Sequence, residues 1–218
     1  MKLRNKHFII TLLTAFCMSF FLTACTLPFL SESGDTYFEE GAAAYLDGDY
    51  TTALKKLQEA EKYGVDKYSN GDLYTYIAHT YWELGLSDEA IGYYQYAVDE
   101  DPDEVSYVVN LAIAYRQCGD NETAKELYLQ ALEIDPNYAE LHSSLGTLYI
   151  IENRPEDAIE SFNKAIELNP NLAVAYGNAA LAYAMVGDFE TADEYLDMAI
   201  IRGYTSADVI RDRIEELK

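Results

Sequence analysis

Metal-binding and catalytic motifs are missing from this sequence. The 218-residue chain has three cysteines and three histidines, and none falls in a Cys-x-x-Cys, His-Glu-x-x-His or Cys/His cluster of the kind that binds zinc. It also lacks a glycine-rich phosphate loop and a nucleophile-and-base pair. We therefore expect no metal and no cofactor, and we do not predict an enzyme.

Basic residues are also scarce. Fifteen lysines and arginines stand against 38 aspartates and glutamates, which gives a formal charge of −23. A chain this acidic repels phosphate backbones, so we expect no nucleic acid partner, whereas basic peptides or cationic surfaces remain compatible. The cysteines at positions 17, 25 and 118 are too few for the paired framework of a disulfide-rich scaffold.

The first 24 residues have the organisation of an export signal. Lys2, Arg4 and Lys6 precede an apolar run over residues 8–22, and Leu22-Thr23-Ala24-Cys25 follows directly. This order resembles a bacterial lipoprotein signal peptide with its lipobox. The resemblance implies cleavage before Cys25, a lipid on the Cys25 thiol, and a lipid-anchored protein on the extracytoplasmic side of the bacterial cell membrane.

Two other interpretations of this segment stay open. The apolar run could be an uncleaved anchor, although about 15 residues is short of the ~20 that span a bilayer. Alternatively, it could be an ordinary secretory signal that is cut elsewhere. Residues 25–33 would form a short linker that keeps the folded domain close to the lipid.

Alanine recurs at a fixed period through the rest of the chain. In each set an alanine is followed four residues later by a large apolar residue and three residues after that by a second alanine. Successive first alanines lie 37, 34, 34 and 34 residues apart. The sets are Ala53/Leu57/Ala60, Ala90/Tyr94/Ala97, Ala124/Tyr128/Ala131, Ala158/Phe162/Ala165 and Ala192/Leu196/Ala199.

Each set has further marks at constant distances. A glycine or alanine stands twelve positions before the first alanine, and glycine or asparagine stands five positions before it. Apolar spacings of three and four define one face of a helix. Glycine and asparagine readily adopt the left-handed turn that ends a helix. Each unit is therefore predicted to be a helix–turn–helix.

These marks resemble the tetratricopeptide repeat. The resemblance implies an all-α fold, a right-handed α-solenoid of five helix–turn–helix repeats. The predicted repeats are residues 34–70, 71–104, 105–138, 139–172 and 173–204. A capping helix is predicted at 205–218, with Thr205 or Ser206 as its N-cap and an apolar stripe of Val209, Ile210, Ile214 and Leu217.

In the family that the chain resembles, the first helices of the repeats line a concave groove in which ligands lie. The groove positions are those to which the repeat pattern assigns no packing role. The predicted groove residues are Tyr45, Tyr76, His79, Trp82, Asn110, Ile113, Arg116, Gln117, Ile150, Asn178, Leu181 and Met185, and Phe38, Ser143, Thr147 and Ile151 are predicted on the same face.

Two groups of these residues point to a partner. Trp82, the only tryptophan, stands at a non-packing phase beside His79, and large amphipathic side chains favour recognition surfaces. Ile150, Leu181 and Met185 place apolar bulk on a face that should be polar, which indicates a partner, a self-contact, or cover by the last helix.

Other residues of chemical interest have simpler interpretations. Cys118 shares its phase with Leu84 and Val186, which predicts a small buried apolar residue. The acidic segment 99–104 lacks the glycine and the alternating spacing of a calcium loop, so we interpret it as a solvated turn.

Together these features predict a membrane-anchored adaptor or scaffold that binds a protein or peptide in its groove. The alternative hypothesis is a structural subunit of an envelope assembly, such as pilus or outer-membrane machinery, that works through self-association or permanent subunit contacts. Concentration-dependent oligomerisation would favour the second hypothesis.

Overall fold

The computed structural model describes residues 33–218, which form eleven helices without a strand. The predicted signal peptide and Cys25 lie outside the described residues. The helices are α1 (Gly34–Leu46), α2 (Tyr50–Tyr63), α3 (Asn70–Glu83), α4 (Ser87–Glu100), α5 (Val105–Gln117), α6 (Asn121–Ile134), α7 (Ala139–Ile151), α8 (Pro155–Leu168), α9 (Ala173–Met185), α10 (Phe189–Ile201) and α11 (Ala207–Leu217). Between Ser33 and Lys218, none of them has both the length and the apolar character needed to cross a bilayer.

The helices stack as a series of hairpins. Each odd-numbered helix from α1 to α9 packs against the helix that follows it, and each even-numbered helix packs against the first helix of the next pair. Each repeat therefore contacts mainly its neighbours in the chain, as in a solenoid. The predicted all-α solenoid is confirmed.

The periodic small residues hold the two helices of each repeat together. The first alanine of every set is fully buried; these are Ala53, Ala90, Ala124, Ala158 and Ala192. At Gly146 on α7, an added Cβ would lie 2.7 Å from the Phe162 ring of α8. That contact is far below van der Waals distance, so a large side chain at one position requires a small one opposite it.

The turn inside each repeat also follows the predicted pattern. Gly85 has a φ of +76°, and its N–H donates to the Trp82 carbonyl at 2.9 Å. Asn153, at the same place in the fourth repeat, has a φ of +56° and is the one non-glycine residue with positive φ among residues 33–218. Asparagine tolerates this region better than other side chains.

The capping helix follows its prediction only in part. Ala207, Ile210 and Ile214 are buried and pack on α9 and α10. Val209 and Leu217, which were predicted in the same stripe, are 63% and 46% exposed. The helix buries one narrow seam because it has only one repeat to cover.

The N-cap of this helix is Ser206, one of the two residues predicted for that position. Ser206 precedes the first helical residue, but its side chain makes no capping hydrogen bond. The first turn of α11 therefore lacks the side-chain acceptor that Ser33 supplies to the Thr36 N–H in α1.

The interpretation of Cys118 as a buried residue was wrong. Its side chain is exposed, and the two residues at the same phase, Leu84 and Val186, are 38% and 40% exposed. All three residues follow the last helical residue of a first helix, directly before the glycine of the turn. That position points to solvent, so its apolar composition is not a burial signal.

Candidate partner-binding groove

The twelve predicted groove residues all lie on the first helices of their repeats. Tyr45 lies on α1, the group from Tyr76 to Trp82 on α3, the group from Asn110 to Gln117 on α5, Ile150 on α7, and the remaining three on α9. Gln117 is exposed and the other eleven residues are half-buried. This intermediate exposure suits side chains that pack at their base and present their ends to a groove.

A notch between α3 and α5 brings several of them together. It has a volume of about 270 Å³. Its lining residues are His79, Trp82, Glu83, Tyr94, Asn110, Ile113, Ala114 and Gln117.

The apolar walls of the notch are continuous with the protein core. Trp82 and Ile113 pack against the central cluster of buried residues, which includes Ala78, Tyr94 and Ala114. Side chains held in this way lose little further conformational freedom when a partner binds, which favours affinity.

His79 is held at the back of the notch by Tyr94. The Tyr94 hydroxyl lies 2.6 Å from Nδ1 of His79. Burial lowers the pKa of His79 and raises that of Tyr94. Both side chains are therefore neutral near pH 7, and we assign the phenol as donor to an unprotonated Nδ1.

Aromatic side chains continue from the notch toward the first repeat. The Tyr45 ring lies 6.2 Å from the His79 ring and 6.0 Å from the Tyr76 ring, centroid to centroid. Phe38, predicted at a groove phase, is instead buried, with its ring 4.3 Å from Tyr68 and 5.3 Å from Tyr76. It is covered because the loop at residues 64–69, which is longer than the equivalent loops at 101–104, 135–138 and 169–172, brings Tyr68 over it.

Arg116 does not line the notch. Its Nε lies 3.4 Å from the Tyr128 hydroxyl on α6, which places the guanidinium stem against the packed interior of the third repeat. Asn110 and Gln117, which lie on the same helix as Arg116, do line the notch. Because Arg116 does not, the lining contains no lysine or arginine.

The second half of the groove is more apolar, and Ser143, which was predicted to line it, is instead buried at 5% exposure. Ile150 packs against the core cluster of Phe162, and Leu181 packs against the cluster that α11 completes. Cover by the last helix, one of the explanations offered for this patch, thus applies to Leu181 in part. Ile151 remains 49% exposed.

The acidic segment 99–104 ends α4 with its first two residues and forms the turn to α5 with the other four. Asp101 accepts from the Asp103 N–H at 3.2 Å, and Glu104 accepts from the Ser106 N–H at 3.2 Å. These bonds cap the turn and the start of α5. Within residues 33–218, no group of three acidic, histidine or cysteine side chains is arranged to hold a metal ion.

Glu83 and Tyr94 are notch residues that the sequence interpretation missed. Tyr94 stands at a packing position where other repeats have Leu57, Phe162 or Leu196. Its hydroxyl was the available signal, because a buried phenol needs a hydrogen-bond partner and the neighbouring first helix supplies one.

Comparison with known proteins supports the repeat interpretation. Tetratricopeptide-repeat models match residues 38–105, 112–150, 139–172 and 161–194. Photosystem I assembly protein Ycf3 from Synechococcus sp. (strain CC9902) is 32% identical over 87 residues, which are 40% of this chain and 50% of that protein. The chain thus spans about half the length of this curated relative.

Solved structures show the same fold at low identity. A thermophilic tetratricopeptide-repeat protein from Thermus thermophilus has a TM-score of 0.70 at 22% identity, and the match covers 85% of this chain and 98% of that one. The MamA protein has a TM-score of 0.57 at 23% identity, covering 82% and 96%. The matched models and the observed stack of helix hairpins identify this chain as a protein of tetratricopeptide repeats, folded as the all-α solenoid of that family.

Proposed function

We propose that this chain is a membrane-tethered scaffold that holds a protein partner in the groove formed by its first helices. The observation that carries the proposal is the notch between α3 and α5, where a half-buried tryptophan stands beside polar groups in an open concavity. Tryptophan is among the residues most enriched at interface positions that dominate binding energy.

Two further observations support a scaffold. Tetratricopeptide repeats build extended concave surfaces, which suit a protein segment better than a small molecule. The curated relative is by name an assembly protein, and assembly requires that components be held together. We extend this role to the present chain as part of the proposal.

The tether is the second part of the proposal. The lipobox-like sequence ending at Cys25 would place acyl chains directly before the folded domain, and more than one chain is needed for stable anchoring. The partner would then be collected at the extracytoplasmic face of the membrane.

Affinity capture from detergent-solubilised envelopes tests the groove. We expect Trp82→Ala to reduce recovery of the partner by at least roughly 30-fold, because loss of a central aromatic anchor costs about 2 kcal/mol or more. Leu129→Ala is the matched control, since Leu129 is a 54% exposed apolar residue on α6, away from the groove. Equal recovery with both variants, or recovery of copies of this chain alone, would remove the groove from the proposal and favour the structural-subunit hypothesis.

Gel migration and palmitate labelling of the membrane fraction test the tether. We expect Cys25→Ser to block lipid attachment and processing, so that the protein migrates as an unprocessed precursor and incorporates no labelled palmitate. Normal processing of the Cys25→Ser protein would show that the signal is cut elsewhere.

A further inference from the structure

The notch contains a carboxylate without a partner. Glu83 is exposed at its rim and makes no hydrogen bond or ion pair with any residue from 33 to 218. Glu83 is the only charged side chain that lines the notch, and it contributes, after burial, to the raised pKa of Tyr45 and of Tyr94. The local potential is therefore negative.

Elsewhere in this chain, an aromatic ring beside a carboxylate already holds a cation. The Lys67 ammonium lies 4.9 Å from the centroid of the Tyr68 ring and 2.8 Å from a Glu39 oxygen. Such a site combines a cation–π contact with an ion pair. The same arrangement occurs for Lys56 with Tyr37 and Glu40, Lys62 with Tyr63 and Glu59, and Arg154 with Tyr149 and Glu152.

Trp82 and Glu83 both line the notch, so it holds an aromatic ring and a carboxylate but none of the cations of residues 33–218. Of the twelve lysines and arginines between residues 33 and 218, nine pair with carboxylates, and the other three are Lys55, Arg116 and Arg202. None of these three lines the notch. No cation of residues 33–218 therefore occupies this site, and the formal charge of −23 would attract a basic partner to it.

The amides of the notch are free to bind a peptide backbone. Asn178, on the fifth repeat, donates to the Thr147 hydroxyl at 3.3 Å, 31 residues earlier in the chain. The residue 31 positions before Asn110 is His79, whose Nδ1 is bound to Tyr94 instead. The Asn110 side chain makes no hydrogen bond among the described residues. Gln117 is likewise without a partner there, and a primary amide supplies both a donor and an acceptor.

We propose that the notch binds an extended segment of the partner protein that carries arginine or lysine. The cation lies between the Trp82 ring and the Glu83 carboxylate, and Asn110 and Gln117 bond the backbone of the segment. This inference rests on the proposed function and adds the chemistry of the partner to it.

The full-length chain in detergent micelles provides a direct assay, because its single tryptophan reports on the notch. The probe is a nine-residue glycine–serine–alanine peptide with arginine at three alternate positions, and its control has citrulline, a neutral isostere, at those positions. We expect the arginine peptide to change Trp82 fluorescence and to bind at least roughly fivefold more tightly than the citrulline peptide.

Two charge-neutralising variants locate the interaction. Glu83→Gln is expected to weaken the arginine peptide about two- to fivefold and to leave the citrulline peptide unchanged. Glu126→Gln removes the same charge from an exposed, unpaired site on α6, and its effect is expected to stay below about twofold.

The outcomes separate this inference from the proposed function. Equal affinity for the two peptides, or equal effects of the two variants, would overturn the inference that the partner carries a cation. Trp82-dependent capture from envelopes would in that case still support partner binding in the groove. If Glu83-dependent peptide binding is found but capture does not depend on Trp82, the notch chemistry stands and the scaffold role of the groove fails.

Discussion

Glycines in this fold have opposite roles depending on what lies opposite them. On α7, Gly146 faces the Phe162 ring so closely that an added Cβ would lie 2.7–2.8 Å from three ring atoms. On α4, Gly92 has nothing within 4 Å of an added Cβ. The first glycine is required by packing, whereas the second only weakens a helix.

The contrast predicts opposite effects of the same substitution. Gly146→Ala should lower the free energy of unfolding by about 1–3 kcal/mol, because Phe162 has to move. Gly92→Ala should raise it by about 0.5–1 kcal/mol, because alanine restricts the unfolded chain and favours the helix. Urea unfolding of the two variants checks the signs. A shift in the same direction for both would contradict the packing argument.

Among the elements, α11 has the clearest separate role. It contributes Ile210 and Ile214 to a cluster with α9 and α10, and it is the last helix of the described residues. Without that cover, Leu196 and Ala180 would face water at the end of the stack. Terminal caps of this kind are needed for the solubility of repeat proteins.

The seam between α11 and the last repeat can be tested by paired truncations. Ile214→Ala should cost about 2–4 kcal/mol, because Ile214 is 1% exposed and its truncation leaves a cavity in the cluster. Val209→Ala, at a 63% exposed position of the same helix, should change stability by less than about 0.5 kcal/mol. Hydrogen exchange should show the loss of protection in α9 to α11 for Ile214→Ala. Uniform loss along all five repeats would mean that the stack unfolds as one unit.

For the whole molecule, the constant spacing of equivalent residues allowed the fold to be predicted from the sequence. The positions equivalent to Ala90 and Gly85 have the same roles in every repeat, so one interpretation applied to all five repeats. The grouping of His79 with Trp82 also followed from phase. The role of Glu83 could not be read in this way, because it depends on which cations neighbouring repeats have already paired. The prediction for Cys118 was wrong because apolar residues at the equivalent turn positions were interpreted as a sign of burial.

The separation of the notch from the cap has an evolutionary consequence. The notch is built by α3, α4 and α5, whereas α11 touches α9 and α10. The fourth repeat stands between these two specialised regions and carries neither. Duplication or deletion of one 34-residue unit there would lengthen or shorten the groove while leaving the notch and the cap intact. A change in length by one whole repeat would therefore alter only the distance between the notch and the cap.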